Sequence, residues 1–277
     1  MSTRNKGRGA IVISSQKDLS IVIPAYNEEE KIGAALSTIQ ELLGRQDRWQ
    51  TYEVIVAADG CTDRTMEIVT QRCQTFPQLR VVSYKKNRGK GFAVKTGVEI
   101  TSGAVVAFMD ADLSTPATEL LRLATPIENK TADLVIGSRR KPDSNILIRQ
   151  PWYRRVMGGC LSLFTRLVLG LGFFDTQCGF KLFDGAVAQS LFAELNCPHF
   201  GFDLELLYRA RRRGYRILEM GLSWRDNPLS SVRPIRDSIS VLAFACKLRL
   251  HPLSFKKKFM IPDRPLLTVY PDINYAK

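Results

Sequence analysis

The chain has 277 residues, the length of one or two domains at roughly 150 residues each. Its composition, 45% hydrophobic and 24% charged with 19 Gly and 13 Pro, excludes collagen-like and globally disordered proteins. The net charge of +13 favours polyanionic partners: nucleic acid, an anionic membrane or phosphorylated metabolites. Six scattered cysteines without a CxxC pair and only 2 histidines exclude a zinc finger, and we expect a reduced, cytosolic compartment.

Apolar strand-like runs alternate with amphipathic helical stretches between residues 18 and 137, a pattern typical of a parallel α/β sheet. The predicted strands cover residues 20–25, 52–59, 80–84, 104–109 and 132–138. Asn27, with Glu30 three residues later, is predicted to cap the first helix. The first four strands are followed by YNEEE, DGCTD, NRGKG and DAD. Because ligands of such sheets bind beyond the carboxyl ends of the strands, these segments predict one binding crevice.

After residue 138 the regular alternation is lost. Residues 151–174 begin with aromatic residues and arginines and continue as an apolar stretch, which glycine pairs and Arg166 interrupt, so a membrane-spanning helix is not expected. This segment is predicted either to pack on the sheet or to lie in a membrane interface. A second such stretch begins at Ser238 and precedes a basic segment, HPLSFKKKF. Residues 1–17 are too polar for a signal peptide.

Charged side chains at the predicted strand ends are the candidates for chemistry. Asp110 and Asp112 follow a buried strand and offer hard oxygen ligands to Mg²⁺ or Mn²⁺, the alternative being a solvated turn or a helix cap. Lys90 lies in NRGKG at a predicted helix start, where backbone amides favour a phosphate, although a simple glycine turn fits as well. Asp59 and Tyr26-Asn27-Glu28 could bond a nucleobase or ribose, or cap helices.

These motifs resemble those of a known enzyme family. SIVIPAYNEEE, VIVAADGCTD, KNRGKG and MDADL occur in the order and spacing of family 2 glycosyltransferases, which have the GT-A fold. DTQCGFKLF at 175–183, GFDLELLYRA at 201–210 and a segment with Trp224 resemble the dolichyl-phosphate β-glucosyltransferase branch, near the dolichol-phosphate mannose synthases. The resemblance implies a Rossmann-like α/β fold, with a mostly parallel central sheet flanked by helices and a C-terminal extension on the acceptor side.

The same resemblance implies how the chain is divided. A single GT-A domain would cover residues 18–250, between a flexible basic N-terminus, 1–17, and a basic tail, 251–277. Its nucleotide-sugar half would be 18–137, and its acceptor half, with the amphipathic helices, would be 138–250. The N-terminal membrane helix of the eukaryotic glucosyl enzymes is absent from this sequence. We therefore expect peripheral association with the cytoplasmic face of a membrane.

Residue roles also follow from the resemblance. Contacts with the nucleotide are implied for Pro24, Tyr26, Glu28 and Asp59, with Asn27 a candidate beside them. Lys90 would lie in the nucleotide site, Asp110 and Asp112 would hold Mg²⁺ or Mn²⁺, and Arg139 would face the reacting phosphates. The resemblance favours UDP-glucose as the donor, with GDP-mannose as the main alternative. Ala58-Asp59 stands where members often have two adjacent aspartates, and this departure leaves room for either donor.

The predicted reaction is an inverting transfer to a polyprenyl or dolichyl phosphate. A phosphate monoester is largely dianionic at neutral pH, so its oxygen attacks without a general base, and cations must stabilise the charge. Arg139, Arg154 and Lys181 are the candidate ligands of the acceptor phosphate. Arg233 could replace a lysine that the family has near the Trp segment, where this chain has Leu229-Ser230-Ser231.

Two other interpretations stay open at this point. If the acceptor were a hydroxyl of a polysaccharide or glycolipid, a carboxylate would take its proton, and Asp203 and Glu205 are the candidates. Alternatively, these two carboxylates have only a structural role at the start of a helix, where the helix dipole favours negative charge in the first turn. A non-catalytic nucleic-acid-binding module is a distant alternative, because carboxylates at four strand ends would repel phosphates. No nucleic-acid partner is expected.

Overall fold

The computed structural model describes residues 16–227, 234–250 and 268–269. Its strands are β1 (Lys17–Ala25), β2 (Tyr52–Asp59), β3 (Leu79–Tyr84), β4 (Gly103–Met109), β5 (Leu134–Ser138), β6 (Asn145–Ile148), β7 (Phe180–Asp184), β8 (Ile217–Gly221), β9 (Ser223–Arg225) and β10 (Thr268–Val269). Its helices are α1 (Ile32–Gly44), α2 (Thr65–Cys73), α3 (Lys90–Glu99), α4 (Glu119–Glu128), α5 (Trp152–Leu169), α6 (Gly185–Ala193), α7 (Phe202–Arg212) and α8 (Pro234–Leu250). Strand and helix therefore alternate regularly as far as β5, as predicted.

One large sheet connects both halves of the chain. Its strand order is β10-β3-β2-β1-β4-β7-β5-β8. The strands β3, β2, β1 and β4 run parallel to one another, and β5 is parallel to β8. Strand β10 lies antiparallel beside β3, and β7 lies antiparallel between β4 and β5. The expected mostly parallel α/β sheet is confirmed. Because β7 runs in the opposite direction, its first residue pairs with the last residue of β4, Phe180 with Met109.

Two hydrophobic clusters cover the two faces of the sheet. The first contains buried side chains of α1, α2 and α4, and the second contains those of α3, α5, α6, α7 and α8. The central strands are buried on both sides, as Ile21, Val22 and Ile23 of β1 illustrate at 0% exposure. Burial of each such side chain contributes about 1.5 to 3 kcal/mol to the free energy of folding. This burial makes the sheet edge a rigid platform for polar loops.

The first helix begins differently from the prediction. Lys31 occupies the N-cap position of α1 and makes no side-chain cap bond, so the predicted cap by Asn27 and Glu30 is wrong. Asn27 instead adopts a φ of +53°, and its Oδ1 accepts a hydrogen bond from the backbone N–H of Thr62 at 2.9 Å. The carboxamide finds a tertiary partner 35 residues away rather than its own helix. The turns after β1 and β2 are thereby joined.

Helix α5 lies within the apolar segment 151–174 and has both buried and exposed apolar side chains, while its location in a membrane interface stays a prediction. Its buried side chains are Leu161, Thr165 and Leu169, and the helix packs against α8. Large side chains on and around α5 are nevertheless exposed: Leu147, Ile148, Trp152, Tyr153, Val156, Leu163, Leu167 and Phe174. We call this set the exposed apolar face. Within the described part of the chain, the helices are all too short or too polar to cross a bilayer.

Candidate active site

A cavity of about 1050 Å³ opens beyond the carboxyl ends of β4 and β5. It is lined by side chains that follow these strands and by side chains from α5, α7 and the loops around them. The sequence-predicted residues that it brings together are Lys90, Asp110, Asp112, Arg139, Arg154 and Asp203. Two groups of charges stand out in this lining: the aspartates that follow β4, which we call the acidic wall, and the arginines that follow β5 or belong to α5, which we call the basic wall.

The acidic wall is formed by Asp110 and Asp112. The Asp110 carboxylate is 39% exposed and pairs with the Lys90 ammonium at 2.6 Å, while Asp112 accepts a hydrogen bond from the backbone N–H of Ser114 at 2.9 Å. Burial raises the pKa of Glu28 above its usual value; the Lys31 ammonium opposes that shift, and the charges of Asp112 and Asp110 add to it. Glu28 therefore lies within electrostatic reach of the acidic wall.

The donor set of this wall suits a hard divalent cation. Over residues 16–227, 234–250 and 268–269, no three His, Cys, Asp or Glu side chains are grouped as a closed metal site. Mg²⁺ is commonly held by one or two carboxylates together with substrate phosphates, and two aspartates that face a cavity match that arrangement. Asp110 and Asp112 therefore fit a cation that arrives with a phosphorylated ligand.

The NRGKG loop is held from below by Asp59. The buried Asp59 carboxylate accepts hydrogen bonds from the backbone N–H groups of Arg88 at 2.6 Å and Gly89 at 2.8 Å. Gly89 has a φ of +102°, and a side chain there would collide with His199. The loop thus delivers Lys90, the first residue of α3, to the cavity. A further role of Asp59 in holding a nucleotide stays a prediction.

The remaining predicted nucleotide contacts lie beside the cavity rather than in its lining. Pro24 pairs with Ala57 near the end of β1, Tyr26 is 40% exposed, and Asn27 and Glu28 occupy the following turn. They are thus at the same edge of the sheet as Asp110. Their contacts with a base or ribose stay predictions.

Arg139 is a cation of the basic wall that an ion pair and a cation–π contact hold in place. Its Nε donates to Asp175 Oδ2 at 2.6 Å, its Nη2 donates to Oδ1 at 2.9 Å, and its guanidinium lies 5.7 Å from the ring centroid of Trp224. Burial alone would raise the pKa of Asp175, but the charge of Arg139 and the hydrogen bonds that Arg139 donates together outweigh it and lower that pKa to about 2. Arg139 keeps 28% of its side chain exposed and so still faces the cavity.

Sequence reasoning missed three other cations of this wall. Arg140, Arg149 and Arg155 line the cavity beside the predicted Arg154. The N–H of Arg154 Nε is buried and has no hydrogen-bond partner among the described residues. The arginine-rich start of segment 151–174 was the available signal, but only the fold shows that these side chains share a cavity with Arg139.

Two predicted site residues belong elsewhere. Lys181 is completely buried, and its ammonium pairs with Asp203 and donates to the carbonyl of Cys178 at 2.6 Å, so it does not contact an acceptor phosphate. Glu205 is also completely buried; it accepts hydrogen bonds from the backbone of Asn196 and Cys197 and pairs with Arg209. Glu205 therefore has a structural role, and its assignment as a possible base is wrong.

Asp203 differs from Glu205 because it does line the cavity. Its carboxylate pairs with Lys181, and burial raises its pKa against the opposing charges of Lys181 and Lys90. Arg233, the remaining predicted acceptor ligand, lies outside the described residues, as do Leu229-Ser230-Ser231 and most of the basic tail.

Comparisons with known proteins agree with this geometry. The chain is 31% identical to the dolichyl-phosphate beta-glucosyltransferase of Dictyostelium discoideum, over 85% of this chain and 75% of that protein. It is 32% identical to the human protein of the same name, over 80% and 71% of the two chains. A crystal structure of glucosyl-3-phosphoglycerate synthase from Mycobacterium tuberculosis, in complex with Mn²⁺, UDP and glucosyl-3-phosphoglycerate, superposes with a TM-score of 0.61 at 25% identity, over 83% and 80% of the chains.

The family assignment rests on the sequence as well as on the fold. The family model described as Glycosyl transferase family 2 matches residues 20–192, which include most of β1, all of β2 to β7 and both walls of the cavity. This result decides against the non-catalytic nucleic-acid-binding alternative. The chain belongs to glycosyltransferase family 2 and is a glycosyltransferase with the GT-A fold.

Proposed function

We propose that this enzyme transfers glucose from UDP-glucose to the phosphate of a polyprenyl lipid such as dolichyl phosphate, with inversion at the anomeric carbon. The observation that carries the proposal is the cavity with two walls, acidic at Asp110 and Asp112 and basic at Arg139 and Arg154, beside the exposed apolar face. The names of the human and Dictyostelium relatives support glucose as the transferred sugar and dolichyl phosphate as the acceptor.

The acidic wall would take the donor. Asp110 and Asp112 would hold Mg²⁺ or Mn²⁺, which would offset the negative charge of the departing diphosphate. Lys90 supplies a second positive charge on the same wall, where it pairs with Asp110 at 2.6 Å. The Mycobacterium tuberculosis enzyme of similar fold was crystallised with Mn²⁺ and UDP, which supports a divalent cation and a uridine nucleotide here.

The basic wall would take the acceptor. A lipid phosphate is largely dianionic at neutral pH, so one of its oxygens can attack the anomeric carbon while the bond to the nucleoside diphosphate breaks on the opposite face. The arginines hold two anionic reactants together, and the planar guanidinium suits bidentate contact with phosphate. No base is needed in this reaction. The Asp203 carboxylate is paired with Lys181, which agrees with a reaction that does not use it as a base.

The exposed apolar face would seat the enzyme on the membrane that contains its acceptor. Trp152, Val156 and Leu167 are 75%, 55% and 75% exposed, on the same helix that carries the cavity arginines Arg154 and Arg155. Aromatic and aliphatic side chains that flank arginines are typical of a surface that lies in the headgroup region. Since the net charge is +13 and the cytoplasmic leaflet carries anionic lipids, peripheral binding to that face is the proposed location.

The test uses the full chain with vesicles of neutral and anionic phospholipids that contain polyprenyl phosphate, Mg²⁺ or Mn²⁺, and labelled UDP-glucose or GDP-mannose. We expect label from UDP-glucose in an organic-extractable, acid-labile product, and none in vesicles that contain the unphosphorylated polyprenol. Label from GDP-mannose alone would contradict the proposed donor. Transfer to polyprenol would contradict the phosphate acceptor.

A soluble hydroxyl acceptor is the second candidate, because Asp203 places a carboxylate of raised pKa in the cavity and the enzyme of similar fold was crystallised with glucosyl-3-phosphoglycerate. The same assay with 3-phosphoglycerate in place of the lipid decides between the two. We expect no water-soluble glucoside. Efficient formation of one would favour the second candidate.

A further inference from the structure

Arg139 is bonded to Asp175 through its backbone as well as through its guanidinium. Besides the two side-chain bonds to Asp175, the backbone N–H of Arg139 donates to Asp175 Oδ2 at 3.0 Å. One carboxylate therefore holds both the backbone and the guanidinium of the first residue after β5. Asp175 is only 3% exposed, whereas Arg139 is 28% exposed, so the pair presents its cation to the cavity and keeps its anion behind it.

Asp175 is itself held by Glu219 of β8. The Glu219 carboxylate accepts hydrogen bonds from the backbone N–H of Asp175 at 2.8 Å and from that of Phe174 at 2.9 Å. The three residues come from β8, from the loop before β7 and from the end of β5. Because both bonds between the guanidinium and Asp175 are charge-assisted, rotation of the guanidinium would break two strong hydrogen bonds at once.

We propose that Asp175 is a positioning residue of the enzyme, which fixes the Arg139 guanidinium toward the reacting phosphates, and that Glu219 sets the place of Asp175. The proposal rests on the proposed function, because it takes Arg139 as a ligand of phosphate. An arginine that must stabilise charge in the transition state is effective only if it is already oriented. Glu219 and Asp175 supply that orientation to Arg139, and neither of them lines the cavity.

The chain offers a matched control pair far from this machinery. Asp133 holds Arg216 in the same manner: its carboxylate accepts from Nη2 at 2.6 Å, from Nε at 3.2 Å and from the backbone N–H at 2.8 Å. Neither residue lines the cavity. Asp133→Asn thus removes an ion pair with the same hydrogen-bond pattern, in a more exposed place, where no effect on turnover is expected.

The kinetic test compares Asp175→Asn with the wild type in the vesicle assay. We expect kcat to fall on the order of 10-fold to 100-fold while KM for UDP-glucose changes little, because misplacing a catalytic group by about 1 Å has an effect of this size. Asp133→Asn should match the wild type. In an Arg139→Ala background, Asp175→Asn should raise the melting temperature above that of Arg139→Ala, since it removes a buried charge that has lost its ion-pair partner. The kcat of this double variant should equal that of Arg139→Ala.

Additive losses in the double variant, or wild-type kcat in Asp175→Asn, would overturn the proposal. If Asp175→Asn does not fold, Glu219→Gln takes its place, because it leaves the Arg139 pair intact and removes the charge that orders the backbone of Asp175. We expect a smaller kcat loss for Glu219→Gln, and none at all would contradict the role of Glu219.

A second measurement does not depend on the acceptor. The NMR signal of the Arg139 Nε–H, identified by its absence in Arg139→Lys, should exchange slowly with solvent in the wild type and in Asp133→Asn. In Asp175→Asn it should be lost to exchange, and an unchanged signal would overturn the proposal. If the wild type transferred no glucose to lipid phosphate, the proposed function would fail, while this signal would still decide whether Asp175 holds Arg139.

Discussion

The two halves of the molecule present different surfaces at the same cavity. Residues 16–137 bury nearly all their large apolar side chains, and Tyr26 is the only one in that range that is markedly exposed. Residues 138–227 and 234–250 expose a whole set of them on β6, α5 and α8. The first half buries its apolar side chains and offers charges to a soluble ligand, whereas the second leaves apolar surface beside arginines. A soluble donor and a lipid acceptor would require this asymmetry.

The largest effect is expected on the acidic wall. Asp112→Ala should reduce glucosyl transfer by at least on the order of 100-fold, because a metal ion contributes several kcal/mol to such reactions and each 1.4 kcal/mol is tenfold. Folding should be unaffected, since Asp112 bonds only to Ser114 of its own turn among the described residues. The same change at the exposed Asp47 serves as the control. Full activity of Asp112→Ala in the labelled-glucose assay would remove the basis of the acidic wall.

The next effect tests how closely the two halves meet. A Cβ at Gly179, just before β7, would collide with both carboxylate oxygens of Asp110. Gly179→Ala should therefore displace Asp110, weaken Mn²⁺ binding by about tenfold to 100-fold, as loss of a supporting contact does, and lower activity in parallel. Gly172→Ala is the matched control, because nothing lies within 4 Å of a Cβ there. Equal Mn²⁺ affinity of the two variants, measured by calorimetry, would show that Asp110 can move without consequence.

A smaller effect is expected on the exposed apolar face. Leu163→Glu combined with Leu167→Glu should weaken vesicle binding by about tenfold or more, since each buried CH₂ is worth about 0.8 kcal/mol. The KM for polyprenyl phosphate in vesicles should rise, while UDP binding stays the same. Thr38→Glu on α1 adds charge on an exposed helix position away from this face. If the Leu variant sediments with vesicles as well as the wild type does, the membrane surface lies elsewhere.

The last and smallest effect is expected on the stability of the fold in acid, through the charge of Asp175 in the second half. Because the pKa of Asp175 is lowered from 3.8 to about 2 in the folded protein, its charge stabilises the fold above about pH 4, and this stabilisation is lost as the pH falls toward 2. The loss should be about 2 kcal/mol, at 1.36 kcal/mol per pKa unit. Urea unfolding of the wild type and Asp175→Asn measures it, and a pH-independent difference between them would contradict the shifted pKa.

Much of the first half could be predicted because its information is local. The predicted strand 52–59 coincides with β2, and the predicted strand 104–109 differs from β4 by one residue. Each strand is a continuous apolar run that ends in polar residues, so strand, turn and helix follow from neighbours in the sequence. The cap at Asn27 failed for the opposite reason, since its partner Thr62 belongs to the next turn.

In the second half, the same reasoning could identify charged residues but could not distinguish those that line the cavity from those that are buried in ion pairs. Lys181 and Glu205 were predicted as site residues, yet both are completely buried in ion pairs. Arg140 and Arg155 were not singled out, yet they line the cavity. A charge in a sequence does not show whether its counter-charge is a ligand or a distant part of the chain.

By itself, the sequence determined the alternation of strands and helices, the aspartates at the end of β4, the cationic loop before α3 and the excess of positive charge. Only the tertiary structure decided which charges face the cavity, because the partners that bury Lys181 and orient Arg139 lie 22 and 36 residues away. Antiparallel insertion of β7 between β4 and β5 brings these partners together, and such pairing across the sheet leaves no local pattern in the sequence.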